Sequence, residues 1–295
     1  MNRIQELRSL LRQHKVDAFI VTHLPHIRYL TGFSGSNATL IVMPRSLFFF
    51  TDGRYTEQIK TELFPLTRLK TFIERDVWQY VSEKGLLSSI ERIGFEADHM
   101  SFAGAERIKA KLKPLKLVPL TNLLEEVTVP KTADEVQNIQ KAADIAAQVY
   151  EYILNFVKPG MRENEVAAEI SYQGKKLGSE GDAFDIIVAS GPRGALPHGH
   201  ASTKKLKKGE LVTLDFGCIV NGFNSDMTRT FALGKPKPLH KKVFDIVLEA
   251  EQAAVAAVRA GINAKELDAV ARKIIEDAGY GENFTHSLGH GRGIK

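Results

Sequence analysis

Apolar and polar positions alternate along this chain with two different periods. At the start, Ile4, Leu7 and Leu11 recur at helical spacing among alternating charges, which predicts an amphipathic helix over residues 1–15 and not a signal peptide. Up to about residue 125, short runs of β-branched and aromatic residues read as strands: Ala18 to Thr22, Ala38 to Met43, Leu47 to Thr51 and Ile93 to Glu96. Between them, Tyr55 to Leu63 and Phe102 to Leu112 read as helices. The mixture predicts an α/β domain. Val127 to Pro130 reads as a linker, since Pro130 disfavours helix before it. Thr132-Ala-Asp-Glu135 is then a capping-box signal for a long helix running to about Val157.

Further on, Phe184 to Ala189 reads as an apolar strand, and Leu211 to Val220 and Phe223 to Leu233 as two arms of a hairpin. Asn221-Gly222 between the arms is a strong signal for a two-residue turn. That turn sets Val220 opposite Phe223, Asp215 opposite Thr228 and Asp226 opposite Gly217. Strand side chains alternate with period two, so Asp215 and Asp226 project from one face as diagonal neighbours, with Cα atoms roughly 7–8 Å apart. A repeat frames the hairpin. At an offset of 101 residues, Val157-Lys-Pro-Gly160 matches Val258-Arg-Ala-Gly261, Glu165-Val166 matches Glu266-Leu267, and Gly178 matches Gly279. Each half opens with a long helix, a glycine turn and a second helix, the later one announced by the capping signal Asn263-Ala-Lys-Glu266.

Two carboxylates on one sheet face repel, and a cation is their natural partner. The plainer reading, two polar residues on a solvated face, sits poorly with the apolar run around Asp215. His290 stands among Gly289, Gly291 and Gly293, where backbone approaches a ligand closely, and imidazole suits Mn, Fe, Co or Zn beside carboxylates. His198 lies in the Gly/Pro-rich loop after the apolar strand, a position that suits a proton shuttle or a substrate contact; alone, it would read as a loop histidine in water.

Composition narrows the classes. At 295 residues, 43% hydrophobic and 25% charged, the chain has the length of two ordinary globular domains. The net charge of +5 is mild, and the run Lys204-Lys-Leu-Lys-Lys208 reads as a solvated loop, not a nucleic-acid grip. No apolar run reaches membrane-spanning length. A single cysteine, Cys218, excludes an internal disulfide and fits a reducing cytoplasm.

Together the motifs resemble those of the Xaa-Pro aminopeptidase and prolidase group of the pita-bread metallopeptidases, whose relatives include creatinase and the methionine aminopeptidases. The matching stretches are Ser190-Gly191 through Pro197-His198-Gly199, Asp215-Phe-Gly, Asp226-Met-Thr-Arg229 and His286-Ser-Leu-Gly-His290-Gly. In the first half, Tyr29-Leu-Thr-Gly-Phe-Ser-Gly-Ser-Asn37 and Thr51-Asp-Gly-Arg-Tyr55 match the accessory domain of the same group. The resemblance implies an α/β accessory domain over residues 1–127 and an α+β pita-bread domain over 132–295, with a pseudo-twofold helix-helix-strand repeat whose second half is incomplete. It implies Asp215, Asp226 and His290 as metal ligands and His198 and His286 as substrate-facing or proton-handling histidines. It further implies two divalent ions, Mn or Co ahead of Zn or Fe, that activate water for attack on a scissile carbonyl. The implied substrate is a peptide with a free N-terminus and proline second; neither nucleic acid nor membrane is a partner, and a homodimer is left open.

One departure stands out. In the family, the Gly-His-Gly stretch continues to a third histidine and two glutamate ligands, whereas this sequence runs Gly291-Arg-Gly-Ile-Lys295. The expectation is therefore a truncated pita-bread domain with weak metal affinity and impaired Xaa-Pro cleavage. Two other readings compete: a metal-free hydrolase like creatinase, disfavoured because both aspartates are kept, and a non-catalytic or degenerate copy acting as a binding module.

Overall fold

Helix-period apolar spacing and short β-branched runs assemble into two compact units in the computed structural model, which describes residues 3–291 and 293–294. One unit extends as far as Val136 and takes in Gly293; the other begins at Gln137.

The first unit opens with α1 (Arg3–Gln13), whose Ile4, Leu7 and Leu11 are buried as their spacing requires. There follow β1 (Ala18–Val21), α2 (Leu24–Thr31), β2 (Ala38–Val42), β3 (Leu47–Thr51), α3 (Gln58–Glu62), β4 (Leu69–Ile73), α4 (Val77–Glu83), β5 (Arg92–Glu96), α5 (Phe102–Lys111), β6 (Lys116–Leu120) and α6 (Leu123–Thr128). The strands form one mixed sheet in the order β4-β3-β2-β1-β5-β6. Its interior strands β1 and β3 are buried along their whole length, and Ile20, Ile41, Phe50 and Ile93 pack with Val81 of α4 and Ile108 of α5. The four anticipated strands are present.

Departures from the sequence reading have local causes. The helix expected over Tyr55 to Leu63 shrinks to α3, because the Asp52 carboxylate accepts from the Arg54 amide and turns Gly53–Tyr55 into a tight 3-10 segment first. The linker expected at Val127 to Pro130 begins later than anticipated. Leu123, Leu124 and Val127 bury one side of α6, which persists to Thr128 before Pro130. The Thr132 and Glu135 capping box forms reciprocally, with amide to side-chain distances of 3.0 and 3.3 Å.

The second unit contains α7 (Ala133–Phe156, most of its length), α8 (Glu163–Lys176), β7 (Ile187–Ser190), β8 (Leu211–Phe216), β9 (Ile219–Val220), β10 (Phe223–Asn224), β11 (Met227–Ala232), α9 (Pro238–Ala257) and α10 (Ala264–Asp277). Ala142, Ala146, Val149 and Ile153 form the buried stripe of α7, facing Val166 and Ile170 of α8 and Val188, Val212, Leu214 and Phe216 of the strands. The helical repeat is repeated in the backbone. At the same offset of 101, α7 and α9 end together, and α8 and α10 begin and end together. The turn hydrogen bonds recur as well: Met161 to Lys158 and Ile262 to Arg259, then Ser179 to Gly174 and Tyr280 to Ile275. After the second pair of helices, a 3-10 turn at Gly281–Asn283 appears and, among the described residues, no strand equivalent to β7.

Two kinds of glycine can be told apart here. Gly160 has φ +94° and an added Cβ would meet nothing within 4 Å, whereas a Cβ on Gly217 would overlap the Ser225 carbonyl oxygen. Gly160→Ala is accordingly expected to cost only the dihedral penalty, about 1–2 kcal/mol, and Gly217→Ala distinctly more. Urea midpoints of the two variants check this; equal losses would contradict it.

Candidate active site

The hairpin supplies two of the site's groups. Asp215 pairs with Thr228, and Val220 with Phe223, in the register expected from the Asn221-Gly222 turn. Each expected arm is divided, β8 from β9 and β10 from β11, where the Cys218 amide donates to the Ser225 hydroxyl in place of a backbone carbonyl and the Ser225 carbonyl occupies the space a side chain at Gly217 would need. In β8, Val212, Leu214 and Phe216 are buried in the core while Leu211, Thr213 and Asp215 alternate to the other face. Asp215 Oδ1 accepts from the Thr228 hydroxyl at 3.0 Å. Asp226 follows Ser225, whose buried hydroxyl accepts from the Cys218 amide (2.9 Å) and donates to the Ala142 carbonyl of α7 (3.1 Å). Asp215 and Asp226 line the same cleft, of about 1180 Å³, so the same-face expectation agrees with the structure.

The third group arrives on the segment after α10. Asp268 and Arg272, one helical turn apart, are paired at 2.7 Å. Arg272 donates to the carbonyls of Phe284 and His286, and Asp268 accepts from the Leu288 amide. Those bonds hold the Asp268 carboxyl below its usual range, the Arg272 contact first and the Leu288 amide second. His290 is thereby carried to Asp226, with Nε2 3.7 Å from Oδ2. Its Nδ1 lies 3.1 Å from the Gly291 carbonyl, and Nε2 is the nitrogen turned to Asp226. His286 is held likewise, Nδ1 2.7 Å from the Ser287 carbonyl. Both are exposed and line the cleft, as does His198.

His198 sits on a loop anchored by a residue the sequence reading did not single out. Glu163, at the first position of α8, is fully buried. Its carboxylate accepts from the Ser190 amide and hydroxyl (2.9 and 2.7 Å), from Arg193 Nε (2.9 Å) and from the Ser202 hydroxyl (2.6 Å). Both ends of the loop carrying His198 therefore close on one side chain. Burial raises the Glu163 pKa, but the Ser202, Ser190 and Arg193 hydrogen bonds outweigh it and leave the net shift downward. An acidic residue in a helix's first turn is ordinary, so no sequence signal distinguished it. Lys204 corrects another reading: it is largely buried between Ser190 and Glu210, 2.7 Å from each, and not solvated with its neighbours.

Residues 137–295 match the model of metallopeptidase family M24, and residues 3–127 match the creatinase/prolidase N-terminal domain. The chain belongs to metallopeptidase family M24. Members of family M24 use divalent metal ions. Among curated relatives, it is 36% identical to an uncharacterised peptidase of Bacillus subtilis and 33% identical to the Xaa-Pro dipeptidase of Pyrococcus furiosus, each over 99% of this chain and 82% of the relative. Among solved structures, the Xaa-Pro dipeptidase from Bacillus anthracis superposes with a TM-score of 0.93 at 35% identity, over 99% of this chain and 82% of that one. The prolidase from Pyrococcus horikoshii gives 0.91 at 32%, over 100% and 83%. The M24 chain is thus a peptidase by lineage with the pita-bread fold of the prolidases. No helix among its described residues is long and apolar enough to cross a membrane.

Glu163 gives the site a pH dependence. Its folded pKa is depressed, so its stabilising contribution is present above the unfolded value, about 4.3, and fades as pH falls through the lower folded value. Glu163→Gln is expected to lower stability by about 1–3 kcal/mol at neutral pH and to flatten the acid limb of the stability profile. Denaturant titrations from pH 7 to pH 3 check this; an unchanged acid limb would contradict it.

Proposed function

We propose that the cleft of the second unit is the metal and substrate site of an Xaa-Pro peptidase, with Asp215, Asp226 and His290 as metal ligands and His198 and His286 facing the substrate. The observation that carries the reading is the convergence of two hairpin carboxylates and an imidazole in one cleft, with His290 Nε2 turned to Asp226. This donor chemistry fits a divalent ion, for which carboxylate oxygen and neutral imidazole nitrogen are ordinary ligands. When bound, such ions supply Lewis-acid polarisation of the scissile carbonyl and an activated water. By analogy with the Mn- and Co-dependent expectation above, Mn(II) and Co(II) are the first ions to try, then Zn(II) and Fe(II).

The chain's own residues do the rest. Thr228 steadies Asp215 through its hydroxyl hydrogen bond, which keeps one carboxylate oxygen oriented. His286, its Nδ1 proton given to the Ser287 carbonyl, keeps Nε2 to accept a proton or a hydrogen bond from a bound peptide. His198 offers a second titratable group from the opposite loop, which Glu163 and Arg193 hold in place. The substrate belongs to the class for which the relatives are named, a peptide with proline after its first residue. The division into an accessory domain over 1–127 and a peptidase domain over 132–295 goes with the same reading.

Because the chain spans 82% of these relatives' length, metal binding tests the residue assignment more directly than turnover. Calorimetric titration with Mn(II) or Co(II) is expected to show binding that weakens more than tenfold in Asp226→Asn and in Asp215→Asn, since losing an outer-shell partner alone costs roughly 10–100-fold. Affinity unchanged in both variants would remove the assignment. Release of the first residue from Xaa-Pro dipeptides and longer Xaa-Pro peptides, compared at saturating metal, separates dipeptidase from aminopeptidase action.

A further inference from the structure

A second cluster of chemistry-bearing side chains lies in the first unit, and the peptidase reading does not use it. His23, His26 and His99 each present a ring nitrogen, and these three atoms lie within 4.8 Å of one another; among the described residues no other group of three histidines, cysteines or carboxylates is gathered so closely. His23 precedes α2 and makes no capping bond with its side chain, His26 lies in the first turn of α2, and His99 follows β5.

Hydrogen bonding fixes how the trio is presented. Glu96, buried at the end of β5, accepts from the Thr22 and His23 amides through Oε2 (2.7 and 2.9 Å) and contacts His26 Nδ1 through Oε1 (2.6 Å). A carboxylate so placed accepts, so His26 Nδ1 bears the proton and Nε2 carries the lone pair. A ligating histidine backed by a carboxylate is arranged in this way. His26 Nε2 points toward Glu125 Oε1 at 3.9 Å, and His99 Nε2 lies 3.2 Å from the same oxygen. His23 is stacked on His99, ring centroids 3.7 Å apart. Burial first, and then the neighbouring His26 and His99, hold His23 below its usual pKa range.

We propose that His23, His26 and His99, with Glu125 as a further oxygen donor and Glu96 orienting His26, form a second metal site that takes a borderline divalent cation such as Zn(II), Co(II) or Ni(II). Zinc to nitrogen distances of about 2.0–2.1 Å require the three nitrogens to draw closer than in the structure. The mobile member is His99, on the exposed side of the cluster, whose ring must turn out of its stack with His23; His26 is locked by Glu96 and stays. Imidazole-rich ligation favours these ions over Mg(II) and Ca(II), which prefer oxygen.

The test uses the full chain carrying Asp215→Asn and Asp226→Asn, so that the carboxylates of the second unit are out of play. Co(II) is expected to bind this protein with one equivalent, seen by calorimetry and by visible ligand-field absorption typical of four-coordination. Adding His99→Gln, at a partly exposed position that leaves the Glu96 network intact, is expected to weaken that equivalent more than tenfold with the thermal transition of the metal-free protein unchanged. In the otherwise unaltered chain, His99→Gln is expected to remove one equivalent and leave any bound by the second unit, which separates failure here from failure of the peptidase assignment. Absence of binding to the Asp215→Asn, Asp226→Asn protein, or binding unaffected by His99→Gln, would overturn the proposal.

Discussion

The register of the β8 and β11 hairpin is the constraint on which the second unit depends. Every other residue of β8 is committed to the core, through Val212, Leu214 and Phe216, so the intervening positions must face the cleft. Slipping the pairing by one residue would send Asp215 into that core and the apolar residues out, exchanging favourable burial for an unpaired buried carboxylate. The turn enforces the same answer from the other end. Asn221 and Gly222 both adopt positive φ, 49° and 79°, the combination that matches the right-handed twist of paired strands. Core packing and turn geometry thus place Asp215, and the continuation of the hairpin places Asp226.

The helices matter to the site less through their own side chains in the cleft than through polar anchors that each sends to a neighbouring segment. The Ala142 carbonyl of α7 receives the Ser225 hydroxyl beside Asp226. Glu163 of α8 gathers Ser190, Arg193 and Ser202 around the His198 loop. Asp268 and Arg272 of α10 fasten the stretch from Phe284 to Leu288 that leads to His290. The twofold helical repeat therefore has a mechanical sense: α8 through Glu163, and α10 through Asp268 and Arg272, each hold one histidine-bearing segment by charged side chains.

What could be read from the sequence was what local chemistry decides. The hairpin register, the capping box at Thr132 and Glu135, and the offset-101 repeat all follow from residues close together in the chain or from matched spacing, and each is present. Elements on sheet edges were missed. β4 and β6 carry exposed residues, and β6 contains Pro119, so neither shows the apolar run that marks a buried strand. The division of the hairpin arms at Gly217 depends on where the Ser225 backbone runs, and Glu163 on partners up to 39 residues away. His23, His26 and His99 are joined by β1 and β5 lying parallel in the sheet, a pairing that no short-range pattern announces.

The central claim is that the hairpin's two carboxylates and His290 hold a divalent ion. Crystals of the protein soaked in Mn(II) and measured near the manganese absorption edge test it without reliance on turnover. An anomalous peak is expected in the cleft between Asp215 and Asp226, within about 2.0–2.6 Å of a carboxylate oxygen of each and on the Nε2 side of His290. A Mn(II)-soaked crystal with no peak there, or with density bound only elsewhere in the cleft, would contradict it.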